Sequence, residues 1–127
     1  MGDDGETAVR ELSHQEPTGA DGEHRFELCV SGDLPCFDGH FPGDPVMPAA
    51  AQLDLLVLPR VSRVFPGLGR LRGVRALRFR RPVRPGEPLI LRLRRAPGQE
   101  HEVRFQLDDA DGRCAAGTLL LGDGGPP

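Results

Sequence analysis

The chain has 127 residues, a formal net charge of −3 and no tryptophan, tyrosine or lysine, a length that suits one domain with a single core. Its three cysteines, Cys29, Cys36 and Cys114, are an odd number without C-x-x-C spacing, which argues for a reducing compartment and against a disulfide framework or zinc knuckle. No charged leader with an apolar run opens the sequence, and no apolar stretch approaches the ~18 residues of a membrane span; a cytoplasmic protein with no membrane partner is expected.

Residues 1–23 hold seven acids against one arginine and few large apolar side chains, and read as a disordered acidic tail. A single domain is expected over 24–122, with 123–127 a flexible C-terminal tail. His24–Ser31 alternates, with Phe26, Leu28 and Val30 on one side, as a half-buried strand does. Asp33–Met47 is a loop punctuated by Gly and Pro. Pro48–Phe65 is the one convincing helix; Pro48 suits a first helical turn, and Pro59 should kink or end it, because its ring crowds the preceding turn and it lacks an N–H.

From Leu71 onward the apolar period is two. Strands are expected over Val74–Arg81, Leu89–Arg95, Glu102–Asp108 and Cys114–Leu121, joined by the turn signals RPGEP, APGQE and DADGR. Between Pro45 and Leu58 the only charged residue is Asp54, and a helix apolar on every face must be buried on every face. One curved antiparallel sheet of about five strands wrapped around this helix meets that demand. The fold class is therefore α+β, of the hot-dog type. Its edge strands invite a dimer that continues the sheet.

The segment FDGHFPGDPVMPAAAQLD, Phe37–Asp54, carries the chemistry. His40 stands in a stiff loop among Phe37, Phe41, Pro42 and Pro45, with Gly39 and Gly43 allowing close backbone approach to a ligand. Such a loop can fix a general base; equally, His40 can be a solvated loop residue. Asp54 in an apolar helix is either an interface or arginine-paired carboxylate, or an acid kept protonated by burial so that it can donate a proton. Met47 is a poor N-cap, so the amides of Ala49 and Ala50 lack a side-chain acceptor. They can face solvent or bind a developing oxyanion. A base, an acid and oxyanion donors together suit β-elimination of water from a 3-hydroxyacyl thioester.

The arginines are clustered: twelve lie between Arg60 and Arg95 against one acid, Glu87, which predicts a positive face. Without Trp or Tyr to stack bases, nucleic acid is not the expected partner. His14, His24 and His101 share no metal-ligand spacing, and no metal is expected. Cys36, four residues before His40, reads as a small buried thiol and not as a nucleophile.

Gly39-His40-Phe41-Pro42-Gly43, then Pro45, Pro48 and a carboxylate fourteen residues after the histidine, resembles the active-site signature of the 3-hydroxyacyl-acyl carrier protein dehydratases of the hot-dog superfamily. Asp54 stands where one branch carries Glu and another Asp, and the sequence around it is closest to the polyene and polyketide branch. The resemblance implies His40 as general base on the α-carbon, Asp54 as proton donor to the leaving hydroxyl, and the Ala49 N–H on the thioester carbonyl, where the family usually has Gly. It further implies a trans-2-enoyl product in fatty-acid or polyketide biosynthesis, and a substrate held on the phosphopantetheine of an acyl carrier protein. No metal or organic cofactor is implied. His and acid meet across a dimer interface, so a homodimer is expected, or a hetero-oligomer with a second hot-dog subunit. Phe37, Phe41 and Met47 line either the acyl tunnel or the core. The rival readings are a hot-dog thioesterase and a non-catalytic subunit.

Overall fold

The computed structural model describes residues 9–17, 22–31 and 47–122. They form six strands and one helix: β1 (Val9–Gln15), β2 (His24–Val30), a helix, then β3 (Arg70–Phe79), β4 (Leu89–Arg95), β5 (Glu102–Asp109) and β6 (Gly112–Gly122). The helix, α1, is built from Ala49–Ala51, a π-helical stretch Gln52–Val57, and Leu58–Val64. All strands pair antiparallel in the order β1-β2-β4-β5-β6-β3. A single antiparallel sheet packed on one central helix is the hot-dog fold.

The period-two pattern becomes rows of side chains running across the sheet. One row passes through His14, Phe26, Leu91, Leu107, Ala115 and Phe79, each directly opposite the next. A second runs Leu93, Phe105, Gly117. A Cβ on Gly117 would lie 3.1 Å from both Phe105 Cε1 and Leu77 Cδ1, so the glycine leaves room for the Phe105 ring beneath β3. The Pro97-Gly98 turn between β4 and β5 uses glycine differently: Gly98 takes φ 71° while the Gln99 N–H closes on the Ala96 carbonyl at 3.1 Å.

Against these rows α1 lays Gln52, Leu56, Val57, Arg60 and Val61, all buried. Leu89, Leu91, Leu93, Val103 and Leu107 are wholly enclosed below them.

Two expectations need correction here. The acidic composition placed residues 9–15 in a tail, yet they form the edge strand β1. Val9 is buried in the core, His14 stacks on Phe26 at 4.2 Å between ring centroids, and Glu11 is neutralised by two helix arginines. Composition counted the charge and could not count its tertiary partners. The described residues therefore hold six strands, with Leu12 exposed at a register shift of β1. Pro59, secondly, does not end the helix, which continues to Val64. The residues expected at 123–127 to form a tail, and Cys36, lie outside the described residues.

β3 forms the other edge. It carries exposed Arg70, Arg72, Arg75 and Arg78, with Leu77 and Phe79 each 37% exposed. Its pairing with β6 slips between Arg75 and Arg78, where Ala76 takes φ 55°. Among the described residues, no helix is long and apolar enough to cross a membrane.

Leu91 and Leu12 lie at opposite extremes of burial. Leu91→Ala is expected to cost about 2–5 kcal/mol through lost burial and a residual cavity, and Leu12→Ala to stay within about 0.5 kcal/mol. Urea denaturation of the two variants beside the parent checks this contrast.

Candidate active site

The start of α1 is fixed from both sides. The Met47 N–H donates to the Val83 carbonyl at 2.8 Å, and Met47 itself is only 2% exposed, so its side chain serves the core. Pro48 is the N-cap, with ψ 155°, which moves the helix start one residue later than the sequence reading. Among the described residues no side chain caps it, and Ala49 and Ala50 are both exposed. The first-turn amides thus keep the donor capacity that a Ser or Asp cap would have used. Gln52 ties the turn together through Nε2, which donates to the Met47 carbonyl at 3.2 Å. Its Oε1 is buried and has no hydrogen-bond partner among the described residues.

Asp54 follows on the π-helical stretch, four residues after Ala50. It is exposed in the single chain and makes no hydrogen bond or ion pair among the described residues. The expectation of burial on every face of α1 therefore does not hold within one chain. Ala49, Ala50 and Asp54 are open, and Leu53, Leu55 and Leu58 are half-covered.

The π turn has a local cause and a local remedy. The Leu58 N–H reaches back five residues to the Leu53 carbonyl, which widens the turn just before Pro59 and relieves the clash its ring would make in an α register. Pro59 brings no N–H, so an α register would leave the Leu55 carbonyl without its donor. Arg60 supplies one: Nη1 donates to the carbonyls of Leu55 and Leu56, at 3.2 Å each. Its Nε pairs with Glu11 of β1 at 3.2 Å. Burial lowers the Arg60 pKa, with Glu11 acting against that shift. Glu11 also receives Arg63 Nη2 at 2.7 Å.

The structure thus assembles Asp54, Ala49 and Ala50 on one open helix surface, with Met47 buried at its base. His40, Phe37, Phe41 and Gly43 lie outside the described residues. The sequence reading passed over Gln52, Arg60 and Glu11. For the first two a signal existed: they share the i, i+4, i+8 stripe with Leu56, which faces the sheet. Glu11 carried no such mark, because its role depends on β1 lying beside α1.

Other reactive side chains are placed elsewhere. Burial pushes the Cys114 thiol up to about 12, and neighbouring Asp109 adds to the rise, which removes it as a nucleophile. Among the described residues, no three His, Cys, Asp or Glu converge to hold a metal ion. His14 and His24 meet at 3.1 Å, Nε2 to Nδ1, and stack with Phe26 near the far end of α1.

Comparison with known proteins puts this geometry in context. The ApeI-like family, described as ApeI dehydratase, matches residues 14–118. A 3-hydroxyacyl-[acyl-carrier-protein] dehydratase FabZ of Thermus thermophilus is 45% identical over 78 residues, covering 54% of this chain and 55% of that protein. The FabZ of Thermomicrobium roseum is 34% identical over 101 residues, covering 75% of this chain and 64% of its own length. The chain thus spans between half and two thirds of these curated relatives. Among solved structures, the dehydratase heterocomplex ApeI:P from Xenorhabdus doucetiae superposes with a TM-score of 0.72 at 26% identity, over 87% of this chain and 95% of that one.

The histidine pair gives the fold a pH dependence. Burial lowers the His24 pKa from its ordinary 6.5, and nearby His14 lowers it further, against an opposing pull from Glu16. The unfolded chain then binds more protons than the folded one just below that value, so stability falls as the pH drops. Denaturation of the parent and His24→Gln at about pH 7 and about pH 5 should show a smaller acid loss in the variant.

Proposed function

Because the chain belongs to the ApeI-like dehydratase family, whose match spans residues 14–118, we propose that it is a hydro-lyase that removes water from 3-hydroxyacyl thioesters to give trans-2-enoyl thioesters. The observation that carries this reading is a lone carboxylate, Asp54, on an otherwise apolar stretch of α1, beside a helix start whose amides no side chain caps.

In the proposed reaction, neutral His40 takes the proton from the α-carbon, and the electron pair forms the α,β double bond as the β-hydroxyl leaves. Protonated Asp54 supplies the proton that turns this hydroxyl into water. The Ala49 N–H, at the positive end of α1, stabilises the charge that builds on the thioester oxygen. His40 ends protonated and Asp54 ionised, and one proton passed between them, or through solvent, restores the start. These steps call for no metal or organic cofactor.

In the single chain Asp54 stands exposed. A second subunit laid over Leu53, Asp54, Leu55 and Leu58 would supply the missing apolar cover. The open edge of β3, with Leu77 and Phe79 exposed, offers a sheet edge through which such a subunit could pair. The substrate is proposed to arrive on the phosphopantetheine arm of an acyl carrier protein in the cytoplasm, in fatty-acid or polyketide synthesis. The exposed arginines of β3 suit an acidic carrier.

One observation favours a variant of this reading. The ApeI:P structure is by its description a heterocomplex, and the helix surface of this chain stands open. A different hot-dog chain could cover it as well as a second copy.

Intact-mass analysis of a 3-hydroxyacyl carrier protein incubated with this protein tests the reaction. Loss of one water is expected; loss of the whole acyl group would indicate a thioesterase. No change until another hot-dog chain is added would indicate an obligate heterocomplex. His40→Ala should slow dehydration by ~10²–10⁴-fold, as loss of a general base does, and near-normal turnover would remove His40 from the mechanism. Asp54→Asn should fold and associate normally yet turn over poorly. If the site is shared between copies, mixing these two variants should restore activity in part of the population.

A further inference from the structure

We propose that Glu11 and Arg60 form a positioning bracket that holds the π turn carrying Asp54, so that the edge strand β1 sets the direction in which the carboxyl is presented. The inference rests on Asp54 as proton donor and goes beyond it, naming two residues that act through it without touching substrate.

The bracket is a continuous chain of contacts. Leu55 and Leu56, the two residues after Asp54, offer their carbonyls to Arg60 Nη1 at 3.2 Å each. Arg60 is 8% exposed, and its Nε is held by Glu11 Oε1 at 3.2 Å. Glu11 is held in turn by Arg63 Nη2, at 2.9 and 2.7 Å to its two oxygens, one turn further along α1. A register shift of β1 between Glu11 and Ser13 falls beside this contact. Buried arginine is costly unless its donors are paired, and here Nε serves Glu11 while Nη1 serves the Leu55 and Leu56 carbonyls.

Stretches of π-helix are rare and usually confined to a single turn. Pro59 withholds the main-chain donor that the Leu55 carbonyl would have in an α register, and Arg60 Nη1 supplies one there and reaches the Leu56 carbonyl as well. With Arg60 removed, the two carbonyls lose this side-chain donor and the π turn loses its tie to β1. The turn is then free to shift, which displaces Asp54 relative to the sheet below. Glu11, the outer half of the bracket, lies on β1 just before residues 14–118, which the family match covers.

The test compares Arg60→Met, which keeps a buried stem and removes the donors, with Glu11→Gln, which keeps the shape and removes the charge. Both are measured on whichever assembly turns over, beside the parent and Asp54→Asn. The expected result is a kcat at least ~10-fold lower for Arg60→Met, since small misplacement of a reacting group is costly. A smaller loss is expected for Glu11→Gln, with KM within about twofold of the parent in both. The alkaline limb of the kcat profile, which reports the proton donor, should move in both variants, and Arg60→Lys should recover part of the loss.

A merely structural bracket would lower the melting temperature of both variants and leave kcat per folded protein and the alkaline limb unchanged. That result, with Asp54→Asn inactive, overturns the bracket and spares the acid. Full activity of Asp54→Asn overturns the acid assignment and the bracket with it. Should Arg60→Met not fold, Glu11→Gln decides by the same two readouts.

Discussion

A helix laid against an apolar sheet must satisfy its backbone without help from water on that side, and this requirement governs α1. Most of the helix meets it through its own hydrogen-bond ladder. The break comes where Pro59 withholds an N–H. Pro59 itself is exposed, but before it Leu56 is fully buried and Leu55 half-covered. The chain closes the gap with a guanidinium, which brings several donors in a fixed fork and can serve two carbonyls and a carboxylate at once. Lysine could not make the same set of contacts with one ammonium. The presence of a buried cation then explains an acidic residue on β1, and the acidic residue explains why a strongly charged segment is held as an edge strand.

The fold was legible because its main signal is periodic. Phe26, Leu28 and Val30, then Leu89, Leu91 and Leu93, then Val103, Phe105 and Leu107 announce strands by alternation alone, and each set faces the core. Strand β1 was not legible for the opposite reason. Its inward residues are Val9, Glu11 and His14, and two of these are polar, so no hydrophobic alternation marks them. What recruits them is cross-element: an aromatic stack on Phe26 and an ion pair to α1. Local sequence carries no trace of a partner 49 residues away.

The behaviour at Pro59 shows a similar limit. The physics invoked from sequence was sound, since the proline does remove a donor and crowd the previous turn. The chain answers by widening that turn to a π register and filling the donor from a side chain, instead of stopping the helix. Whether a helix survives an internal proline depends on such compensation, and the residue that supplies it, Arg60, is adjacent in sequence yet reads in isolation as one more member of an arginine-rich run.

Asp54 stood out in the sequence because it was the sole charge in a greasy segment, and that oddity survives in the structure in altered form. Its surroundings are apolar but only half assembled: Leu53, Leu55 and Leu58 retain exposure, and the carboxylate between them faces out. Half-exposed leucines on both sides of an acid make little sense as a finished surface, because they expose apolar area without sheltering the charge. They make sense as half of an interface, where a second chain would bury the leucines and desolvate the carboxyl in the same step. Assembly and the surroundings of Asp54 would then be coupled. On this view the single chain holds the π turn through Arg60 and Glu11, and a second chain would complete the surroundings of Asp54.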